Sequence, residues 1–185
     1  MKRFAILATM LAATGCAAPA PELARDQYLA LVSRTYDGTA PDTAIAAAEK
    51  VLRFSDTDFE VRHFEDGFEA TRNWSIYLIF SLVAGSDAWR VRATPVEDGT
   101  ELTVRVEREE GVIQQSVRRM ESPALYDVFW ARLDWMLGVR PDWMTCVESN
   151  RRIAQDIVVG KNDALCSITN ENRFPGETDR VVARL

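Results

Sequence analysis

Three cysteines and one histidine are the first candidates for covalent or acid–base chemistry in this chain. They are Cys16, Cys146, Cys166 and His63. A catalytic site needs a nucleophile or base, a group that orients it and a group that stabilises developing charge. No nucleophile motif accompanies the histidine, since Gly85-Ser86-Asp87 lacks the Gly-x-Ser-x-Gly pattern. The sequence therefore predicts a structural, partly buried His63 in a protein that is not an enzyme.

Cys16 follows a segment with the three parts of a bacterial secretion signal. Residues 2–3 are basic, residues 4–15 are uncharged and largely apolar, and residues 13–15 are small. The apolar part is shorter than the roughly 20 residues that span a bilayer. The segment resembles the lipobox of bacterial lipoproteins, in which the cysteine becomes the acylated first residue of the mature chain. Position 13, where that motif usually carries leucine, is Ala13.

This resemblance implies a compartment and a membrane partner. Residues 1–15 would be a signal peptide and residues 16–26 a lipidated tether that attaches the protein to a membrane through Cys16. In Gram-negative lipoproteins an aspartate after the cysteine retains the protein at the inner membrane. Ala17 in that position implies the periplasmic face of the outer membrane. The alternative is an ordinary signal peptide that is cleaved nearby, with Cys16 incidental.

The charge of the chain excludes one class of partner. Removal of Lys2 and Arg3 with the signal leaves 20 basic and 28 acidic residues, a formal charge of −8. Nucleic-acid binding draws most of its affinity from basic residues, so no nucleic-acid partner is expected. The acidic balance also predicts that membrane residence comes from acylation. The 170 mature residues suit one folded unit.

The two remaining cysteines predict a disulfide. In an exported protein, Cys146 and Cys166 would be the only thiols left once Cys16 is acylated. A metal site is the alternative, but the single histidine, His63, lies far away in sequence. We therefore expect a structural disulfide, no metal ligands and no cofactor.

Two Asp-Gly pairs predict β-hairpins, because this dipeptide favours two-residue hairpin loops. A loop at Asp66-Gly67 pairs Val61 with Arg72, and a loop at Asp98-Gly99 pairs Val91 with Val106. In both registers the apolar positions of the two arms share a face. The pattern predicts an antiparallel sheet with one wet face, preceded by a first strand within residues 27–38.

The apolar run from Trp74 to Gly85 lies between the two hairpins. One interpretation is a buried central strand that continues from the first hairpin and ends at Gly85-Ser86-Asp87. The other is an exposed apolar loop that contacts lipid or a partner protein. Periodicity favours neither interpretation for a run of this length, and the strand is the commoner structure.

Helical patterns occupy residues 39–54 and 122–138, and the second carries a wide apolar stripe. The predicted fold class is α+β, with about five antiparallel strands packed against two helices. Residues 139–185 would form a small helical appendix held by the disulfide. The element order over residues 27–138 resembles the helix-grip domains of a lipoprotein component of the outer-membrane β-barrel assembly machinery. It shares no diagnostic motif with them, so the resemblance implies a fold and assigns no functional residue.

The predicted register places the charged residue Arg72 on the apolar face, opposite Val61. Either its stem packs there while the guanidinium reaches the sheet edge, or it is a buried counter-ion for a bound acid. His63 and Arg72 are thus the only candidates for a ligand or buried-ion site. The sequence favours a non-catalytic, membrane-tethered interaction module with an envelope protein as partner. The alternative is a carrier of a lipid or a small apolar ligand between the sheet and the second helix.

Overall fold

The structure, a computed structural model, describes residues 23–56, 58–78, 81–111 and 116–166. The predicted signal peptide, Cys16 and the end of the chain after residue 166 lie outside the described residues. In the part that is described, the chain forms α1 (Arg25–Val32), β1 (Ser33–Asp37), α2 (Pro41–Ser55), β2 (Glu60–Phe64), β3 (Gly67–Leu78), β4 (Ser81–Val96), β5 (Gly99–Glu110), β6 (Ser116–Arg119), α3 (Pro123–Met136), α4 (Cys146–Ala154) and α5 (Asp163–Cys166).

The strands form one open antiparallel sheet, so the predicted α+β class is confirmed. Its order is β1-β5-β4-β3-β2, and β6 also pairs with β5. Since β4 occupies one edge of β5, β1 and β6 share the other edge, β1 beside Gly99–Thr103 and β6 beside Glu107–Glu110. None of the described helices is both long and apolar enough to cross a membrane.

The core lies between one face of the sheet and helices α2 and α3. Along β5 the buried residues alternate with more exposed ones, which is the pattern of a strand with one wet face. At the centre, the rings of Trp89 on β4 and Phe129 on α3 are 5.4 Å apart, and both residues are fully buried. The other fully buried apolar residues around them include Ala48, Val51, Leu52, Phe68, Val91, Leu102, Val104, Leu125, Leu133 and Met136.

The predicted first strand is wrong over half of its length. Residues Arg25–Val32 form helix α1, and only Ser33–Asp37 form a strand. Tyr28 and Val32, four residues apart, are the buried side chains of this segment, so the helical period decides its structure.

Both hairpins exist, but each register is displaced by two residues from the prediction. Val61 pairs with Ala70 and Val91 pairs with Val104, so the loop residues are Glu65-Asp66 and Glu97-Asp98. Each glycine is the first residue of the following strand. A displacement of two leaves every side chain on its predicted face, because the pleat repeats every two residues.

The glycines are required by the neighbouring strand. A Cβ atom on Gly67 would lie 2.0 Å from the carbonyl oxygen of Val91, and one on Gly99 would lie 2.2 Å from that of Tyr36. Each position therefore excludes a side chain because another backbone passes too close for one.

The run from Trp74 to Gly85 is a hairpin, so its prediction as a single strand is wrong. Strands β3 and β4 pair continuously from Gly67↔Arg92 to Leu78↔Ser81. The appendix is pinned as predicted: Cys146, at the start of α4, is bonded to Cys166, at the end of α5. Closing a loop of 20 residues stabilises the fold by about 3 kcal/mol through restriction of the unfolded chain.

We expect Gly67→Ala to lower the free energy of unfolding by about 1–3 kcal/mol, because the new methyl overlaps the β4 backbone. Guanidinium unfolding followed by tryptophan fluorescence measures this. The control is Gly38→Asn: Gly38 has φ +66° but open space around it, and asparagine tolerates that conformation. A Gly67→Ala loss no larger than that of Gly38→Asn would contradict the close approach.

Candidate functional site

A row of three charged side chains crosses the core face of the sheet. Arg72 on β3 pairs in register with Asp87 on β4, and Asp87 pairs in register with Arg108 on β5. We call these three residues the charged row. All are buried, with exposed fractions of 4%, 0% and 7%. Burial of an unpaired charge is strongly destabilising, so the contacts of these three side chains decide whether they can be buried in the sheet.

Asp87 is the shared carboxylate at the centre of the row. Its Oδ2 accepts a hydrogen bond from Arg72 at 2.8 Å, and its two oxygens accept bonds from Arg108 at 2.6 and 3.0 Å. Each guanidinium also lies over an aromatic ring, Arg72 at 5.6 Å from the centre of Phe59 and Arg108 at 5.3 Å from Trp74. Each guanidinium is thus neutralised by carboxylates and also stacked against an aromatic ring.

The outer ends of the row bind two helices to the sheet. Arg72 donates to Asp56 at 2.8 Å, and Asp56 is the residue that ends α2. Arg108 donates to Asp163 at 2.6 Å, and Asp163 begins α5. Burial acts to lower the pKa of Arg108, but hydrogen bonds to Asp87 and Asp163 outweigh it and hold that pKa above its ordinary value. The charged row is therefore a junction of three strands and two helices.

A third buried arginine, Arg132, contacts the same end of α2 as Arg72 does. Arg132, fully buried on α3, donates to the hydroxyl of Ser55 at 2.5 Å and to the carbonyl oxygen of Met144 at 2.9 Å. Its Nη2 contacts the disulfide sulfurs of Cys146 at 3.2 Å and Cys166 at 3.6 Å. Burial lowers the pKa of Arg132 to about 10.

We call the direction from the charged row towards Leu78 and Ser81 above the row, and the opposite direction below it. Directly above the row, Trp74 and Gly85 form the next register pair on the core face. A Cβ atom on Gly85 would lie 2.6 Å from the indole ring of Trp74, so the ring covers the glycine. An open cleft at this level is lined by residues of β3, β4 and the end of β5, among them Trp74, Gly85 and Glu110. Trp74 therefore separates the charged row from the part of the hairpin beyond it.

Beyond Trp74, none of the strands that the structure describes pairs with the outer edges of the β3–β4 hairpin. The described pairing of β2 ends at Thr71 and that of β5 ends at Gly85. Residues 75–78 of β3 and 81–84 of β4 pair only with each other among the described strands. We call these eight residues the apolar arm. Ser75 and Ala84 at its root are exposed.

The structure does not bring the two predicted site residues together. Arg72 is in the charged row, where its counter-ions are carboxylates of the chain itself. His63 is 58% exposed at its side chain and lies 2.7 Å from Glu49 on α2, so its predicted partial burial is wrong. Among the described residues, no group of three or more histidine, cysteine or acidic side chains is placed to hold a metal ion.

Sequence reasoning missed Asp56, Asp87, Arg108 and Asp163. Part of the signal for the row was present: a loop at Glu97-Asp98 pairs residue 87 with residue 108, whereas the pairing of residue 72 with residue 87 depends on the β3–β4 hairpin. Treating Gly85-Ser86-Asp87 as the end of a strand hid that alignment. The ends of α2 and α5 depend on helix packing, which no local pattern specifies.

Replacement of Arg72 tests the role of the charged row. Arg72→Met keeps the apolar stem and leaves Asp56 and Asp87 without that guanidinium, so we expect a loss of about 3–5 kcal/mol in the free energy of unfolding. The matched control is Arg90→Met, because Arg90 joins β4 to Glu69 of β3 at the surface, where an ion pair contributes below about 1 kcal/mol. Equal losses in chemical unfolding of the two variants would contradict a structural role for the row.

Comparison of the chain with protein-family models, with curated protein sequences and with solved structures found no significant match to any of them.

Proposed function

We propose that the protein is a lipid-anchored, non-catalytic interaction module of a bacterial envelope, held at the periplasmic face of the outer membrane through Cys16. Residues 1–15 are its signal peptide and residues 16–26 its tether. Residues 27–138 form its sheet-and-helix body, of helix-grip type, and residues 139–185 its disulfide-bearing extension. Its partners are the membrane and an envelope protein, and nucleic acid is not among them.

One observation carries the proposal: the sheet is stabilised below the charged row, while the hairpin continues above it as the apolar arm, with no described strand on either side. An apolar two-stranded ribbon in water is marginally stable and prone to aggregation. Its presence is understandable if another envelope component covers it. The lipobox-like segment supports the compartment in which that component would be found.

The charged residues support a non-catalytic role. Arg72, Asp87 and Arg108 are engaged with one another and with the ends of α2 and α5. These contacts join β3, β4 and β5 to the ends of α2 and α5, on the core face of the sheet. His63 bonds Glu49 at the surface, which is also a contact between a strand and a helix.

The carrier alternative requires space between the sheet and α3. That position is filled by Trp89 and Phe129, whose rings are 5.4 Å apart and whose side chains are fully buried. Because this interface between the sheet and α3 is packed, it gives no reason to place a ligand there. We therefore adopt the interaction module as the proposed function.

Cross-linking in intact cells tests the proposed role. A photo-reactive residue at position 77 or 82 of the arm should capture an envelope component, whereas one at position 97, in the turn between β4 and β5, should not. Equal capture from the arm and from position 97 would contradict the proposal. Loss of cellular function in a stable and abundant His63→Ala variant would also contradict it.

We expect palmitate labelling of cells to mark the wild-type protein and to fail for Cys16→Ser, because the acyl acceptor is removed. Most of the Cys16→Ser protein should also leave the membrane fraction, because the acyl chains supply most of the membrane affinity. Cys146→Ser is the control, since it removes a cysteine that we assign to the disulfide and should retain the label. Labelling that survives Cys16→Ser would show that Cys16 is not the anchor.

A further inference from the structure

The apolar arm has a composition unlike that of the sheet from which it extends. No charged residue occurs between Arg72 and Asp87, although 27% of the chain is charged. Ile76 pairs with Val83, and Tyr77 pairs with Leu82. Because successive residues of a strand alternate between faces, these two pairs place apolar residue types at positions on both faces of the ribbon. A surface that covers the arm must therefore be apolar and must accept both faces.

The chain enters the domain at the same end of the sheet from which the arm leaves. Leu23 and Val117 line one cleft together with Glu107 of β5. The segment Glu107–Glu110 pairs with β6 on one side and reaches Gly85, at the root of the arm, on the other. The N-terminal tether therefore begins two strands away from the arm.

The lengths of the two segments match this placement. Cys16 precedes Leu23 by seven residues, which can reach at most about 25 Å. From Gly85 to Ser81 the arm advances four residues, or about 13 Å. An acylated Cys16 can therefore lie level with the end of the arm, and the membrane that holds the anchor is the nearest apolar surface to it.

We propose that the apolar arm inserts into the interfacial layer of the bilayer to which Cys16 is anchored, and so orients the domain on that membrane. This inference rests on the proposed lipid anchor. Insertion stops at the headgroup and upper acyl level, because the unpaired edges of a two-stranded ribbon need water for their backbone groups. The charged row marks the depth at which the protein leaves the membrane.

Charge separates this mode of binding from electrostatic adsorption. With a formal charge of −8, the mature chain is repelled by anionic lipid, so apolar burial must supply the affinity. Binding through the arm should therefore be insensitive to salt, whereas adsorption through basic residues weakens as salt rises.

Depth-dependent fluorescence quenching tests insertion in the acylated protein. With Cys16 acylated and Cys146 disulfide-bonded, a cysteine introduced at position 83 or 96 is the one thiol available for an NBD label. Both positions are valines of β4, Val83 in the arm and Val96 at the far end of the same strand, where it is 40% exposed. On vesicles of phosphatidylethanolamine and phosphatidylglycerol, nitroxide-bearing lipid should quench the label at Val83→Cys several-fold more than the label at Val96→Cys. Equal quenching of the two labels in protein that floats with the vesicles would overturn the arm proposal and leave the anchor intact.

A Cys16→Ser protein separates failure of the arm from failure of the anchor. Without acyl chains, its weaker flotation with the same vesicles should depend on the arm alone. Val83→Asp should lower the bound fraction about tenfold, because an interfacial carboxylate opposes insertion, and Val96→Asp should leave it unchanged. If Val83→Asp instead converts a dimer to a monomer with no effect on flotation, a second copy covers the arm and the membrane assignment is wrong.

Discussion

The bidentate contact of Arg108 with Asp87, extended through Arg72, is the constraint on which this structure depends. Because of this contact, three charged side chains occupy core-face positions at the end of the sheet, beyond the last residue pair of β2 and β3. Such a row costs desolvation and offsets it only if every member is paired. Asp56 and Asp163 complete the pairing, and they do so from the ends of α2 and α5. The positions of two helices are thereby tied to the level at which the core stops.

This junction gives the β3–β4 hairpin two different environments. Below the row, its core-face residues belong to a sheet of several strands and contact helices, as Trp89 does with Phe129. Above the row, the same hairpin is two-stranded and rich in apolar residue types. The row therefore separates two apolar regions, one that packs within the domain and one that, in our proposal, is covered by a surface outside it. We propose the membrane as that surface because Leu23, beside Glu107 of β5, lies at the same end of the sheet as the arm.

Much of the fold could be predicted because it follows local rules. Alternation in β5, the two hairpin signals and the spacing of Cys146 and Cys166 all correspond to observed elements. The registers failed by two residues because Gly67 and Gly99 are dictated by the strand beside them, which local turn chemistry does not reveal. Arg72 stands out in the sequence pattern, but its partners Asp56 and Asp87 lie on other elements and could not be identified from it. Arg132 lies within the apolar stripe of α3, and nothing in the local pattern indicates that this arginine is buried.

Hydrogen exchange of the vesicle-free protein, measured by mass spectrometry, tests the central claim that the charged row is the boundary of the stable sheet. We expect rapid exchange in the apolar arm. We expect slow exchange in the lower rows, the register pairs of Phe68 and Ala70 with β4 that lie below the charged row. We also expect Arg72→Met to accelerate exchange in those lower rows, whereas Arg90→Met should not. Equal protection on both sides of the row, or lower rows unchanged in Arg72→Met, would contradict this claim.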